Sequence, residues 1–227
     1  MTLFIIEIMN IKKKPIKKKG SKKDIFVIVG IVALVIGAGV WFAYHPPADA
    51  TLKSSANAPL PGIQTGDAPW TAELDHLRER LSAIDLPTLS AEGTALHIHQ
   101  HLDIFIDGKP VIIPALIGIN NTQQFISSIH VHDTTGIIHV ESPIVTAFTL
   151  GQFFNVWGVS LSTTTIGGYS ANGDKKLQFF VNGVLQPATQ NPRDMILSPH
   201  EEIVIAYGTQ NELPNPIPSS YVFPPGY

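Results

Sequence analysis

The chain has 227 residues, 44% of them hydrophobic and 15% charged, which supplies a packed core and argues against wholesale disorder. It holds no cysteine, which excludes disulfides, thiolate zinc sites, iron–sulfur clusters, a blue-copper centre and a catalytic thiol. The net charge of −3 is uneven: residues 1–44 carry eight lysines against two acidic residues, and the rest carries seven Lys and Arg against sixteen Asp and Glu. That acidic body argues against a nucleic-acid partner, which would need clustered positive charge.

In chain order, residues 1–24 form a basic segment, and Lys12 to Lys23 supply all eight of its lysines. Residues 25–44, IFVIVGIVALVIGAGVWFAY, hold no charge. Twenty residues at about 1.5 Å each span roughly 30 Å, the thickness of a bilayer core. Trp41 and Tyr44 stand at its far end, where amphipathic rings favour the interface. This predicts a single-pass transmembrane helix in the cell membrane. The positive-inside rule places residues 1–24 in the cytoplasm and the C-terminal domain on the extracytoplasmic side. Ala48-Asp49-Ala50 offers a small-x-small cleavage site, but the apolar run exceeds the roughly 7–15 residues of a signal peptide. A retained anchor is therefore the expectation.

Residues 45–94 read as a linker with a short helix. Pro, Gly, Ala and Asn dominate up to residue 72, and Leu74, Leu77, Leu81 and Ile84 then fall at helical spacing. Residues 95–208 are expected to form a His-rich domain. LHIHQHLDIFI is followed by Asp107-Gly108, a hairpin signal, with the return strand cut short by Pro114. FISSIHVHD and IIHVES flank a turn at Thr134-Thr135; that turn predicts His130 opposite His139 and Ser128 opposite Glu141. Thr149 is a predicted N-cap for LGQFFNVW, and Gly158 a predicted helix end. Asn182-Gly183 marks another hairpin, and EEIVIAYG a buried strand. Residues 209–227 form a proline-rich tail, expected to be extended.

The fold class expected for the exported part is α+β, mostly β: an antiparallel sheet with one crossing helix. With FTLGQFF for the helix start, FFVNGVLQP for the middle hairpin and LSPHEEIVIAYG for the last strand, the order hairpin, helix, hairpin, strand over residues 126–208 resembles the β-grasp fold. The last run looks like the final strand of sulfur-carrier and related β-grasp domains. Carrier chemistry is not implied, because Gly226 is followed by Tyr227 and not by a second glycine. A β-sandwich or barrel with one helix is the alternative.

Six of the nine histidines fall within 43 residues: His97, His99 and His101, then His130, His132 and His139. Alternate spacing puts every second strand residue on one face. His97, His99, His101 and Asp103 therefore share a face, with Leu96, Ile98, Leu102 and Ile104 behind them. Two strands with apolar backs and imidazole fronts point to a metal site. The expected ligands are His97, His99, His101, His130, His132, His139 and Glu141, with Asp103 and Asp133 orienting imidazoles by accepting their second N–H. His130, His139 and at least one of the first three are expected to share one ion. His200 either joins from the last strand or caps a turn. Nitrogen-rich, thiolate-free ligation suits Cu(II), Zn(II), Ni(II) or non-haem iron, and copper and zinc come first. HVHDTTGIIHVE is similar to the cupin His-x-His…Glu pattern, but His139 intervenes, Glu141 lies too far on, and no Gly-rich second motif follows.

The function expected is that of a metal-binding protein on the outer face of the membrane, carrying, sensing or buffering copper or zinc. A three-His metalloenzyme is the first alternative. An envelope module with an envelope-protein partner and structural histidines is the second. No nucleophile elbow, His-Glu-x-x-His run or phosphate-binding loop appears in the sequence.

Overall fold

A computed structural model of the protein describes residues 60–227. The basic segment, the apolar span at 25–44 and the first part of the linker lie outside the described residues. Among the described residues, no helix is long and apolar enough to cross a membrane.

Helix α1 (Leu77–Ala83) buries Leu77 and Leu81 at the predicted spacing. His76, just before it, is exposed, as its polar neighbours imply. The segment leading into α1 brings Trp70 into the core, edge-on to Trp157. Then follow β1 (Thr88–Leu89), β2 (Leu96–Ile106), β3 (Lys109–Val111), β4 (Ile119–Asn120), β5 (Phe125–Ser127), β6 (Ile129–His130) and β7 (Ile137–Ser142). Helix α2 (Leu150–Trp157) crosses next. The chain closes with β8 (Thr165–Ile166), β9 (Tyr169–Ser170), β10 (Lys176–Val181), β11 (Val184–Leu185) and β12 (Glu202–Gly208).

Local chemistry sets these boundaries. Thr149 accepts from the Gln152 N–H while the Gln152 side chain accepts from the Thr149 N–H, a reciprocal capping box that starts α2. Gly158 ends α2 in the left-handed conformation, at φ +81°. Asp107-Gly108 turns β2 into β3, with Ile106 opposite Lys109. Asn182-Gly183 turns β10 into β11, with Val181 opposite Val184. Both predicted turns fall where expected.

The main sheet runs β11-β10-β12-β2-β7-β6, with β3 beside the second half of β2. It corrects the antiparallel expectation: β12 pairs with β2 in parallel, so the sheet is mixed. Parallel neighbours need a long crossover, and the path from β7 through α2 provides it. The residues of β12 do not themselves specify β2 as the neighbouring strand. The sheet stays open, ending at β11 and β6, so the closed-barrel alternative is not realised. β12 is buried along all seven residues, as a strand covered on both faces should be.

One face of the sheet packs Leu102, Ile104, Ile203 and Ile205 with Phe153, Phe154 and Trp157 of α2. The opposite face carries His97, His99, His101, Asp103 and Phe105 in alternate positions of β2. On that side Phe180, Val204 and Ala206 pack with Phe105 and with Leu213 and Ile217 of the tail. The proline-rich tail therefore lies across the histidine-bearing face.

Candidate metal centre

Three strands bring the histidines together. His130 of β6 is opposite His139 of β7, as the turn predicts, and the Glu141 N–H donates to the Ser128 carbonyl. His139 is in turn opposite His99 of β2, and Glu141 is opposite His97. A row of imidazoles, His130–His139–His99, thus runs across three strands. The apolar back of each strand packs on α2 and its surroundings, which leaves the imidazole fronts on one surface. His132 lies beyond the end of β6 and returns toward His130, with ring centroids 4.7 Å apart.

Two sets of ligand atoms converge. His130, His132, His139 and Glu141 offer atoms within 4.8 Å of one another, and so do His97, His99 and Glu141. In each His-x-His pair the two Nε2 atoms are 3.1 Å apart. Glu141 Oε1 lies 3.0 Å from His139 Nδ1, 3.4 Å from His97 Nε2, 3.9 Å from His130 Nε2 and 4.0 Å from His99 Nε2. His130, His99, His139 and Glu141 are buried, while His97 and His132 reach solvent. A buried His/Glu cluster of this geometry can hold a metal ion.

Proton positions favour ligation. The Ser127 carbonyl can only accept, so His130 Nδ1, 3.0 Å away, carries the proton and Nε2 keeps its lone pair. Burial, reinforced by repulsion from neighbouring imidazoles, lowers His130 to about 3, His139 to about 3 and His99 to about 4. These rings are neutral at pH 7, the form that binds metal. Burial also pushes the Glu141 carboxyl up to about 7, helped by the charge of Glu92 and by a hydrogen bond that the protonated Glu141 donates to it. A cation at this position would reverse that shift by favouring the carboxylate.

His101 stands apart from both sets. Its Nδ1 is 2.8 Å from a Glu202 carboxylate oxygen and its Nε2 is 2.8 Å from the Thr135 carbonyl. Both nitrogens face acceptors, so the ring is served best as an imidazolium. Burial opposes the charge, but the hydrogen bond and charge of Glu202 outweigh it and raise the pKa. His101, Asp103 and Glu202 form a third cluster, and the Tyr221 ring stacks on His101 at 3.8 Å. Asp133 is occupied by the turn, accepting from the backbone N–H and hydroxyl of Thr135. His200 adopts a left-handed turn at φ +59°, and its Nε2 faces the Tyr227 carbonyl. Of its two sequence readings, the turn describes what is seen.

No protein-family model, curated protein or solved structure matches the chain. The reading of this site therefore rests on its own geometry.

Two features had no signal in the sequence. Glu92, in the loop before β2, comes within 3.4 Å of His132 Nε2. The loop reaches this position because Gly93 lies flat on Ser142–Pro143: a Cβ there would sit 2.1 Å from the Ser142 carbonyl carbon. In the tail, the Tyr227 ring packs over His99 and His139, at 4.6 and 5.3 Å between centroids. Neither residue shares a spacing pattern with the histidines, so only the folded chain connects them.

Proposed function

We propose that the protein is a membrane-anchored, extracytoplasmic transition-metal-binding protein whose clustered histidines take up copper or zinc. One observation carries this reading: five imidazoles converge on a single buried carboxylate, Glu141, whose ion-pair partners among the described residues are histidines alone. A buried carboxylate without a cation is costly, and a divalent ion resolves that cost while using the imidazole lone pairs. The thiolate-free, nitrogen-rich donors favour Cu(II) or Zn(II). The Tyr227 ring over His99 and His139 favours holding an ion over turning over a substrate, so binding is preferred to catalysis. The eight lysines before an uncharged run of twenty residues support the anchor and its orientation.

The metal reading is tested by titrating the purified chain with Zn(II) and Cu(II) at pH 7.5. Saturating ion should bind and raise the melting temperature, by mass action on the folded state. A His130→Ala/His139→Ala variant that folds, judged by circular dichroism, should lose at least ten-fold in affinity. Equal affinity in variant and parent would remove the site. Orientation is tested separately. A Ser54→Cys variant in intact cells should react with a membrane-impermeant thiol reagent, and labelling only after lysis would reverse the topology.

A further inference from the structure

We propose, building on the metal-binding reading above, that the cluster is a dinuclear centre in which Glu141 bridges two ions, one on each His-x-His pair.

The argument is one of distances. Two nitrogen ligands at about 2.0–2.1 Å from one ion are at most about 4.2 Å apart. At roughly tetrahedral to right-angled geometry their separation is about 2.9–3.4 Å, from the same bond length. Each pair meets this requirement on its own: His97 and His99 present Nε2 atoms 3.1 Å apart, and so do His130 and His132. The two pairs do not fall into one set even within 4.8 Å, so one ion cannot take both. Glu141 alone belongs to both sets.

The position of Glu141 explains why. It lies on β7, between β6 and β2, directly opposite His97 and one pleat along from His139. Its Oε1 faces both pairs, 3.4 Å from His97 Nε2 and 3.9 Å from His130 Nε2, and the lone pairs of a carboxylate let it serve an ion on either side. The two pairs are also built alike. Each has one buried ring, His99 or His130, and one solvent-reaching ring, His97 or His132. Each ion would therefore enter past an exposed imidazole and settle against a buried one. His139 lies in the row between the buried rings and belongs to the set of His130 and His132. A single mononuclear site would need only one of these pairs, and the second would be a chelating geometry without use.

Stoichiometry decides the matter. The purified, untagged full-length chain is loaded with Zn(II), dialysed and analysed for metal and protein. Two equivalents are expected. His97→Ala/His99→Ala and His130→Ala/His132→Ala should each retain one. One equivalent in the parent, or two retained by both pair variants, would overturn the dinuclear centre and leave the binding function intact. No metal in the parent would overturn both. Cu(II) provides a measurement on the parent that needs no variant. Two carboxylate-bridged Cu(II) ions couple magnetically, so the integrated electron paramagnetic resonance signal should fall below the copper content and recover on release into chelator. Glu141→Gln should restore the full signal without chelator. Full intensity in a parent holding two coppers would remove the bridge.

Discussion

Acidifying the metal-free protein from pH 6.5 to 5 should cost about 3 kcal/mol of folding stability, a drop readable by urea unfolding at a series of pH values. His99, His130 and His139 have folded pKa values of about 4, 3 and 3, against an unfolded value of 6.5. Between those limits the unfolded chain takes up three protons that the folded chain refuses, so stability falls as pH falls. Glu141 acts in the opposite sense. Its folded pKa of about 7 exceeds the unfolded 4.5, so the folded chain holds one extra proton in this window. The net difference of two protons corresponds to about 2.7 kcal/mol per pH unit, less near pH 6.5, where the unfolded rings are only half protonated. His101 adds nothing below pH 6.5, because its raised pKa keeps it protonated in both states there; its stabilisation is lost only as pH rises above that. A flat profile between pH 6.5 and 5 would mean that these rings are not held neutral. Saturating Zn(II) at pH 5 should offset part of the loss, since the ion binds the folded chain, whose rings are still neutral there.

Removing the Arg80 side chain should be the most damaging single truncation outside the metal cluster. Arg80→Ala is expected to cost about 3–5 kcal/mol, the range for breaking a buried charge network by deleting one partner. Arg80 is fully buried. Its Nε donates to the Asn155 carbonyl at 2.8 Å and its Nη2 to the Val156 carbonyl at 3.1 Å. These carbonyls belong to the last turn of α2, where no intrahelical donor remains. The same guanidinium donates to the Pro61 carbonyl and the Glu73 carboxylate. One side chain of α1 thus caps α2 and ties down the segment that leads into the core. Arg80→Lys should recover only part of the loss, because an ammonium cannot reproduce the planar fork of donors. Thermal or denaturant unfolding checks both variants, and a loss below about 1 kcal/mol for Arg80→Ala would show that water replaces the guanidinium.

Much of the candidate site follows from local pattern. The period of two in LHIHQHLDIFI dictates one imidazole face and one apolar face, and burial of the apolar face leaves no other arrangement. The turn at Thr134-Thr135 sets His130 against His139 because hairpin register follows from turn position. The capping box at Thr149 and the Asp-Gly and Asn-Gly turns are likewise chemistry of adjacent residues.

What joins distant segments is decided only by the tertiary structure. Nothing in a strand's own residues says which strand will lie beside it, so the parallel insertion of β12 next to β2 and the pairing of His99 with His139 depend on how α2 packs across the sheet. The same packing separates His101 from its neighbours: Glu202 arrives beside it on β12 and takes its proton-bearing nitrogen, although the alternation alone makes the three histidines of β2 equivalent. Glu92, Arg80 and Tyr227 acquire their roles by close approach across long stretches of chain. The sequence by itself determined which residues are candidate ligands and which face they occupy; the folded contacts decided how those candidates divide into sets, because the distance between them is a property of space and not of spacing along the chain.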